Sequence, residues 1–366
     1  MYNHNLFYNE QYEIKGQKYD EQINEWSQKY ESLMLIEQKR FLMSIISENK
    51  MKNVLEIGVW NGVSSLCILK SGIENNNNFQ LYSIDFENND FIAAAVNHYC
   101  SKEEKEHYHI NKGKTVFDIE NIVPKDIKFD LVFIDAGHSH PFPLFDLIFS
   151  IPYMHENTII ILHDIIDYMV PNAWGESFIF ESWTGDKYRL YTNFEKNIYS
   201  TMGCIKLHKT KEELYNNIKI ISDISLRANP WAINYYQNNK NINDIDNKNK
   251  NLGLGFNLKD IEKIKNYMEK YYTDEFSEQI NTILINNYNN YMKNCYLYMH
   301  ETRLLYYLYK NIDRIHSIDN NINYIAYDND IKYNSLNRKL DKLINMIVWW
   351  IPIKKIRDNI RKKLNE

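Results

Sequence analysis

The feature that most constrains this chain is a rhythm between Val54 and Leu207, in which short, nearly unbroken apolar runs alternate with longer polar, helix-compatible stretches. The runs are Val54-Leu55-Glu56-Ile57-Gly58-Val59, Leu81-Tyr82-Ser83-Ile84-Asp85, Phe129 to Asp135 and Thr158 to Leu162. A strand that is apolar on both sides is buried on both faces of its sheet, and strands separated by helices are joined by parallel crossovers. The rhythm therefore predicts a doubly wound α/β domain. Tyr188 to Tyr191 and Cys204 to Leu207 read as two further strands with no clear helix before them, which suits an antiparallel hairpin at one sheet edge.

The flanks read differently. Tyr19 to Lys50 carries apolar residues at spacings near three and four (Leu33, Leu35, Ile36, Phe41, Leu42, Ile45, Ile46), the pattern of a helix. After residue 210, Lys211 to Arg227 predicts a helix, the Asn-rich stretch 238–251 a loop, and Leu258 to Ile312 two or more helices. Residues 336–366 pair an apolar stripe ending in Trp349 and Trp350 with a basic run from Lys354 to Lys363. That tail fits either an amphipathic helix docked on the protein or on a second subunit, giving a homo-oligomer, or one resting peripherally on the inner face of a membrane.

Composition narrows the function. The formal net charge is −5, so the chain lacks the basic surface of a nucleic-acid binder. The four cysteines (67, 100, 204 and 295) show no paired spacing and suggest neither a disulfide framework nor a structural zinc site. The N-terminus has no signal-peptide pattern and no stretch is apolar enough for a membrane span, so a cytoplasmic protein is expected.

In a doubly wound sheet, ligands bind beyond the carboxyl ends of the strands. The first strand closes as Glu56-Ile57-Gly58-Val59-Trp60-Asn61-Gly62. A dinucleotide turn needs glycine where Trp60 stands, because backbone must touch a pyrophosphate there; the bulk of Trp60 opposes NAD or FAD. An acidic residue two positions before the first glycine suits a ligand with an ammonium group and no phosphate, and S-adenosylmethionine is such a ligand. Asp85, closing the second strand, is placed to accept both hydroxyls of a ribose. A glycine turn made for packing, with two solvent-facing acids, is the plainer alternative.

These residues resemble the class I S-adenosylmethionine-dependent methyltransferases over roughly residues 30 to 210. VLEIGVWNGVSS is similar to the cofactor loop and LYSIDF to the ribose strand, while FDLVFIDAGHSH and IIILHD resemble the fourth and fifth strands of the metal-dependent subgroup that O-methylates sugars and small phenols. The resemblance implies a Rossmann-like sheet in the order 3-2-1-4-5-7-6, the last strand antiparallel. With the pattern of the flanks, the chain reads as a helical N-terminal lead (1–50), a methyltransferase domain (51–210), a helical extension (211–335) and the amphipathic basic tail (336–366). The resemblance also implies cofactor contacts from Glu56, Gly58, Asn61, Gly62, Asp85 and Asp135, and places the adenine edge near Lys114, where many relatives carry a small or acidic residue.

The fourth strand ends Asp135-Ala136-Gly137-His138-Ser139-His140 and the fifth His163-Asp164. If the two strands are neighbours, their ends lie about 5 Å apart, so Asp135, His163 and Asp164 form a candidate cation site. Oxygen ligands favour Mg²⁺, and a histidine among them leaves Mn²⁺ or Fe²⁺ open. A base with pKa near neutrality suits deprotonation of an acceptor hydroxyl, which points to His138, with His140 as the alternate. Helix capping by the two aspartates and a backbone-bonded loop histidine are the bland alternatives. Trp174 and Trp183 fit either stacking on a sugar or packing. Together these features predict an S-adenosylmethionine-dependent O-methyltransferase of a sugar, such as a surface-glycan precursor in polysaccharide biosynthesis, or of another small polyhydroxy acceptor, assisted by a divalent cation. A non-catalytic scaffold of a glycan-assembly complex built on the same fold is the second reading.

Overall fold

A computed structural model describes residues 10–165, 175–193, 198–226 and 257–293. Its centre is a seven-stranded sheet: β1 (Asn53–Ile57), β2 (Gln80–Asp85), β3 (Tyr108–Lys112), β4 (Phe129–Ile134), β5 (Met154–Leu162), β6 (Lys187–Asn193) and β7 (Ile198–Lys206). Their order is β3-β2-β1-β4-β5-β7-β6. Strands β1 to β5 pair in parallel, and β7 runs antiparallel to both β5 and β6. The expected doubly wound order is therefore present, with the antiparallel pair at one edge.

Alternation along each central strand sends neighbouring residues to opposite faces. Val54, Leu81, Leu131, Phe133 and Ile161 pack on one side, and Leu55, Ile57, Val132, Ile134 and Leu162 on the other. The first side is covered by α1 (Glu10–Gly16), α2 (Asp20–Lys29), α3 (Ile36–Glu48) and α4 (Val63–Asn75), through Trp26, Phe41, Leu42, Leu66 and Leu69. Arg40 ties α3 to α2 through Asp20, with Nε to Oδ1 at 2.7 Å and Nη2 to Oδ2 at 2.6 Å. The helix expected across Tyr19 to Lys50 is interrupted at Tyr30–Leu35. Leu33 there is 76% exposed, so it contributes nothing to an apolar stripe, and the chain re-enters helix where the Gln38 side chain accepts from the Leu35 N–H at 2.7 Å.

The opposite face is covered by α5 (Phe142–Ser150), α6 (Gly175–Ser182), α7 (Lys211–Ser222), α8 (Leu258–Tyr271) and a further helix over 274–293. The α6 helix fills the interval after β5 where no helix is evident from sequence; at 8 residues it is too short to display a period. The α8 helix and the one after it share their core with the sheet. Tyr267 stacks on Phe149 (ring centroids 3.9 Å apart) and donates to its carbonyl at 2.7 Å, and Tyr272 donates to the Ile148 carbonyl at 2.6 Å. Among the described residues no helix is long and apolar enough to cross a membrane. The loop 238–251, Trp174, Cys295 and the tail 336–366 lie outside the described residues.

Candidate active site

β1 ends at Ile57, and the chain turns through Gly58 to Gly62 before entering α4. Gly58 has φ +95°, and a Cβ there would stand 1.9 Å from the carbonyl oxygen of Asp135, so the turn lies directly on the end of β4 and only glycine fits. Trp60 has φ +49°, a costly backbone region for a bulky residue. It is held there from two sides: its N–H donates to Asp85 Oδ2 at 3.0 Å and its carbonyl accepts from the Ala93 N–H at 2.9 Å. The indole is 41% exposed and meets Phe91 edge-on.

Asp85 is bound into this turn. Its Oδ2 accepts from the N–H groups of Val59 (2.9 Å) and Trp60 (3.0 Å), and its Oδ1 from Glu87 N–H (2.9 Å). Glu56 lies beneath the turn, fully buried, accepting from the hydroxyls of Ser64 (2.7 Å), Ser65 (2.6 Å) and Ser83 (2.6 Å). Burial pushes its pKa up to about 7 against the opposing pull of the three hydroxyls. Asn61 is buried too, donating from Nδ2 to the Glu31 carbonyl at 2.5 Å, which fastens the turn to the N-terminal lead. Lys114 donates its N–H to the Asp85 carbonyl at 3.0 Å, while its ammonium pairs with Asp118 at 3.5 Å.

The β4 and β5 ends are adjacent, with Ile134 opposite Leu162, so Asp135 and His163 leave the sheet side by side. Asp135, His138 and Asp164 offer ligand atoms that all lie within 4.8 Å of one another. Two carboxylates and an imidazole, all partly accessible, are a donor set that fits a divalent cation of the Mg²⁺, Mn²⁺ or Fe²⁺ kind. In this grouping the histidine is His138 rather than His163. His163 is buried under the aspartates, its Nδ1 3.2 Å from Asp135 Oδ1 and 3.2 Å from Asp164 Oδ1. Neither of its ring nitrogens makes a well-aligned hydrogen bond among the described residues. Burial opposes a proton on this ring, but the two carboxylates outweigh burial and hold its pKa well above the usual value. Asp164 itself sits at φ +53°.

His138 faces both ways. Its Nδ1 is 2.9 Å from Glu176 Oε1 and its Nε2 3.4 Å from Asp164 Oδ2. Burial again works against the charge, yet Glu176, Asp164 and Asp135 raise the pKa to about 9. His140 does not join this group: it is buried, its ring edge on Phe178 and its Nε2 3.2 Å from the Ile224 carbonyl. Trp183 is buried as well and donates Nε1–H to the Lys206 carbonyl at 2.9 Å, a packing role.

Two site residues are not visible from sequence spacing, Glu176 on α6 and Asp146 on α5. Both are buried, and burial raises both carboxyls above their usual range, Asp146 well above it with Glu176 adding to the rise. Glu176 Oε2 and Asp146 Oδ2 have no hydrogen-bond partner among the described residues. A signal for one of them does exist: Asp146 is the lone charged residue in the apolar helix FPLFDLIFS.

Residues 55–165 match the family model described as a methyltransferase domain. Among solved structures, a Klebsiella pneumoniae protein assigned as an O-methyltransferase is 17% identical, covering 53% of this chain and 96% of that one with a TM-score of 0.40. A Bacillus cereus O-methyltransferase in complex with SAH is 15% identical (55% and 92% covered, TM-score 0.36). The O-methyltransferase TomG of Streptomyces achromogenes, involved in tomaymycin synthesis and solved with SAM, is 13% identical (55% and 91%, TM-score 0.38). No curated protein matches the chain. With the 3-2-1-4-5-7-6 sheet order, the family match over the glycine turn and the strand ends marks residues 55–165 as a methyltransferase domain.

Proposed function

We propose that the chain transfers a methyl group from S-adenosylmethionine to a hydroxyl of a sugar or other small polyhydroxy acceptor, with a divalent cation held by Asp135 and Asp164 beside His138. The observation that carries this reading is the convergence of those three side chains within 4.8 Å, beside the glycine turn. The sugar class rests on the resemblance of the fourth and fifth strands to sugar-methylating enzymes.

Methyl transfer from a sulfonium is an in-line displacement: the acceptor oxygen bonds to the methyl carbon as the carbon–sulfur bond breaks, leaving S-adenosylhomocysteine, and the hydroxyl proton must leave. In the proposed arrangement Asp85 and the 58–62 turn hold the cofactor, proximity aligns the acceptor, and His138 Nε2 receives the proton. Glu56, expected from the sequence to meet the ammonium of the cofactor, is instead fully buried and ties the start of α4 to β2 through Ser64, Ser65 and Ser83. When bound, the cation would orient a vicinal diol, acidify its hydroxyls and offset the carboxylate charge that keeps His138 protonated.

The test is production of S-adenosylhomocysteine from S-adenosylmethionine with a panel of nucleotide sugars and small polyhydroxy compounds, in Mg²⁺, Mn²⁺ or Fe²⁺ and in chelator. Turnover that needs a sugar acceptor and a metal supports the proposal. Full turnover in chelator removes the cation from it, and methylation confined to non-hydroxyl acceptors removes the O-methyl reading.

A further inference from the structure

The buried acid against His138 Nδ1 is costly to keep. A carboxylate withdrawn wholly from water loses several kcal/mol of solvation unless it is paired, and an apolar side chain of the same volume fills such a site more cheaply. Glu176 is nonetheless fully buried, at the start of a helix whose remaining buried side chains include Ile179 and Phe180.

The contacts of that helix show what the acid is aimed at. The N–H of Gly175 donates to the His138 carbonyl at 2.6 Å, while the next residue, Glu176, places Oε1 2.9 Å from His138 Nδ1. Backbone and side chain of one histidine are thus gripped by two consecutive residues. The helix has no slack around this grip. A Cβ on Gly175 would lie 2.6 Å from Pro143 Cδ and 3.3 Å from His140 Cα, and Ser177 Oγ donates to the Ile165 carbonyl at 3.0 Å, just past Asp164. The α6 helix is wedged between the loop that carries His138 and the segment that carries Asp164.

We infer that Glu176 is a positioning residue for His138, gripping the imidazole at Nδ1 so that Nε2 is presented to Asp164 and to the acceptor. Which imidazole nitrogen does the chemistry is set by the bond the other nitrogen makes. With Nδ1 committed inward, Nε2 is the nitrogen left 3.4 Å from Asp164 Oδ2. Asp146, the second buried acid, is coupled to Glu176 electrostatically. This inference rests on the methyl-transfer reading for its kinetic consequence, but not for its geometric one.

The test compares Glu176→Gln, whose amide oxygen can still accept from Nδ1, with Glu176→Leu, which fills the space and cannot. S-adenosylmethionine affinity, measured by calorimetry on the full chain, should be unchanged in both. With an acceptor in hand, kcat of Glu176→Leu should fall by about 10- to 100-fold at unchanged acceptor KM, and Glu176→Gln should recover most of it. Crystal structures of the variants read the orientation without any turnover: the His138 ring should keep its wild-type torsions in Glu176→Gln and leave them in Glu176→Leu. A His138 ring that stays in place in Glu176→Leu, or a Glu176→Gln variant as impaired as Glu176→Leu, would overturn the inference. If Glu176→Leu does not fold, Glu176→Gln decides alone, since loss of the wild-type ring torsions there defeats the positioning role. If no acceptor is ever methylated, the proposed function fails while the ring torsions still settle the positioning question.

Discussion

The two halves of the site are built on opposite terms. At the ends of β1 and β2, both oxygens of each carboxylate are hydrogen-bonded: Glu56 is held by three serine hydroxyls and Asp85 by three backbone N–H groups. At the ends of β4 and β5, acids and imidazoles crowd together with poor directional satisfaction, and His163, Glu176 and Asp146 all bury polar atoms that lack an aligned partner among the described residues. Fully satisfied polar groups rigidify a structure, whereas partly satisfied ones hold unspent interaction energy. The first half therefore shapes a rigid turn, and the second is where protons and charge can move.

If that division is right, chemistry and cofactor binding should separate cleanly by mutation. Asp135→Asn, Asp164→Asn and His138→Ala should each lower turnover by about 10²-fold or more while leaving S-adenosylmethionine affinity near wild type. Paired turnover and calorimetric measurements check this. A parallel loss of cofactor affinity in the same variants would erase the distinction between the halves.

The first half should reveal itself in stability. Folding raises the Glu56 pKa from 4.5 to about 7, so between those values the unfolded chain gives up this proton while the folded chain keeps it. The folded state then binds more protons, and stability falls as pH rises through that window, by roughly 3 kcal/mol in all. Glu56→Gln, which has no charge to bury, should gain on wild type by that order between pH 5 and pH 8 in cofactor-free denaturant titrations. A pH-independent difference would mean that Glu56 does not titrate there.

Asp85 belongs to the same half, and the proposed function gives its carboxylate a cofactor contact as well. Asp85→Ala should weaken S-adenosylmethionine by about 1 to 3 kcal/mol, through loss of both the ribose acceptor and the anchor for the Val59 and Trp60 N–H groups. Unchanged affinity in a folded variant would confine Asp85 to structure.

How much of this was legible from sequence depends on burial. β1, β2, β4 and β5 are legible because they are apolar on both faces, whereas β3 (YHINK) is a half-buried edge strand with no apolar run to notice. The convergence of Asp135 and Asp164 is likewise legible, since each closes a strand and the strands are neighbours. Which histidine accompanies them is not: His163 directly follows β5 and His138 lies in the loop after β4, and only the direction of each side chain separates the partly accessible one from the buried one. Glu176 is invisible for another reason. Its contact with His138 joins residues 38 apart through a helix too short to announce itself.

The smallest expected effect sharpens the comparison most. Ser65 and Ser83 are completely buried, while Ser64 is only half-buried, yet all three hydroxyls bond to the Glu56 carboxyl. Below pH 5, with Glu56 protonated in the folded state, Ser65→Ala should cost only about 1 kcal/mol, the ordinary value of a neutral hydrogen bond. Above pH 8 the same change should cost about 1.5 to 3 kcal/mol, because the bond lost is then to a charged group. Removing a donor to the ionised form also raises the Glu56 pKa further, so the falling limb of stability should move to higher pH in Ser65→Ala than in wild type. Ser64→Ala should show the same pattern more weakly, because water can replace a half-exposed hydroxyl. Denaturant titrations of the two variants across pH measure all of this. A Ser64→Ala effect equal to that of Ser65→Ala would mean that water does not reach the upper side of Glu56.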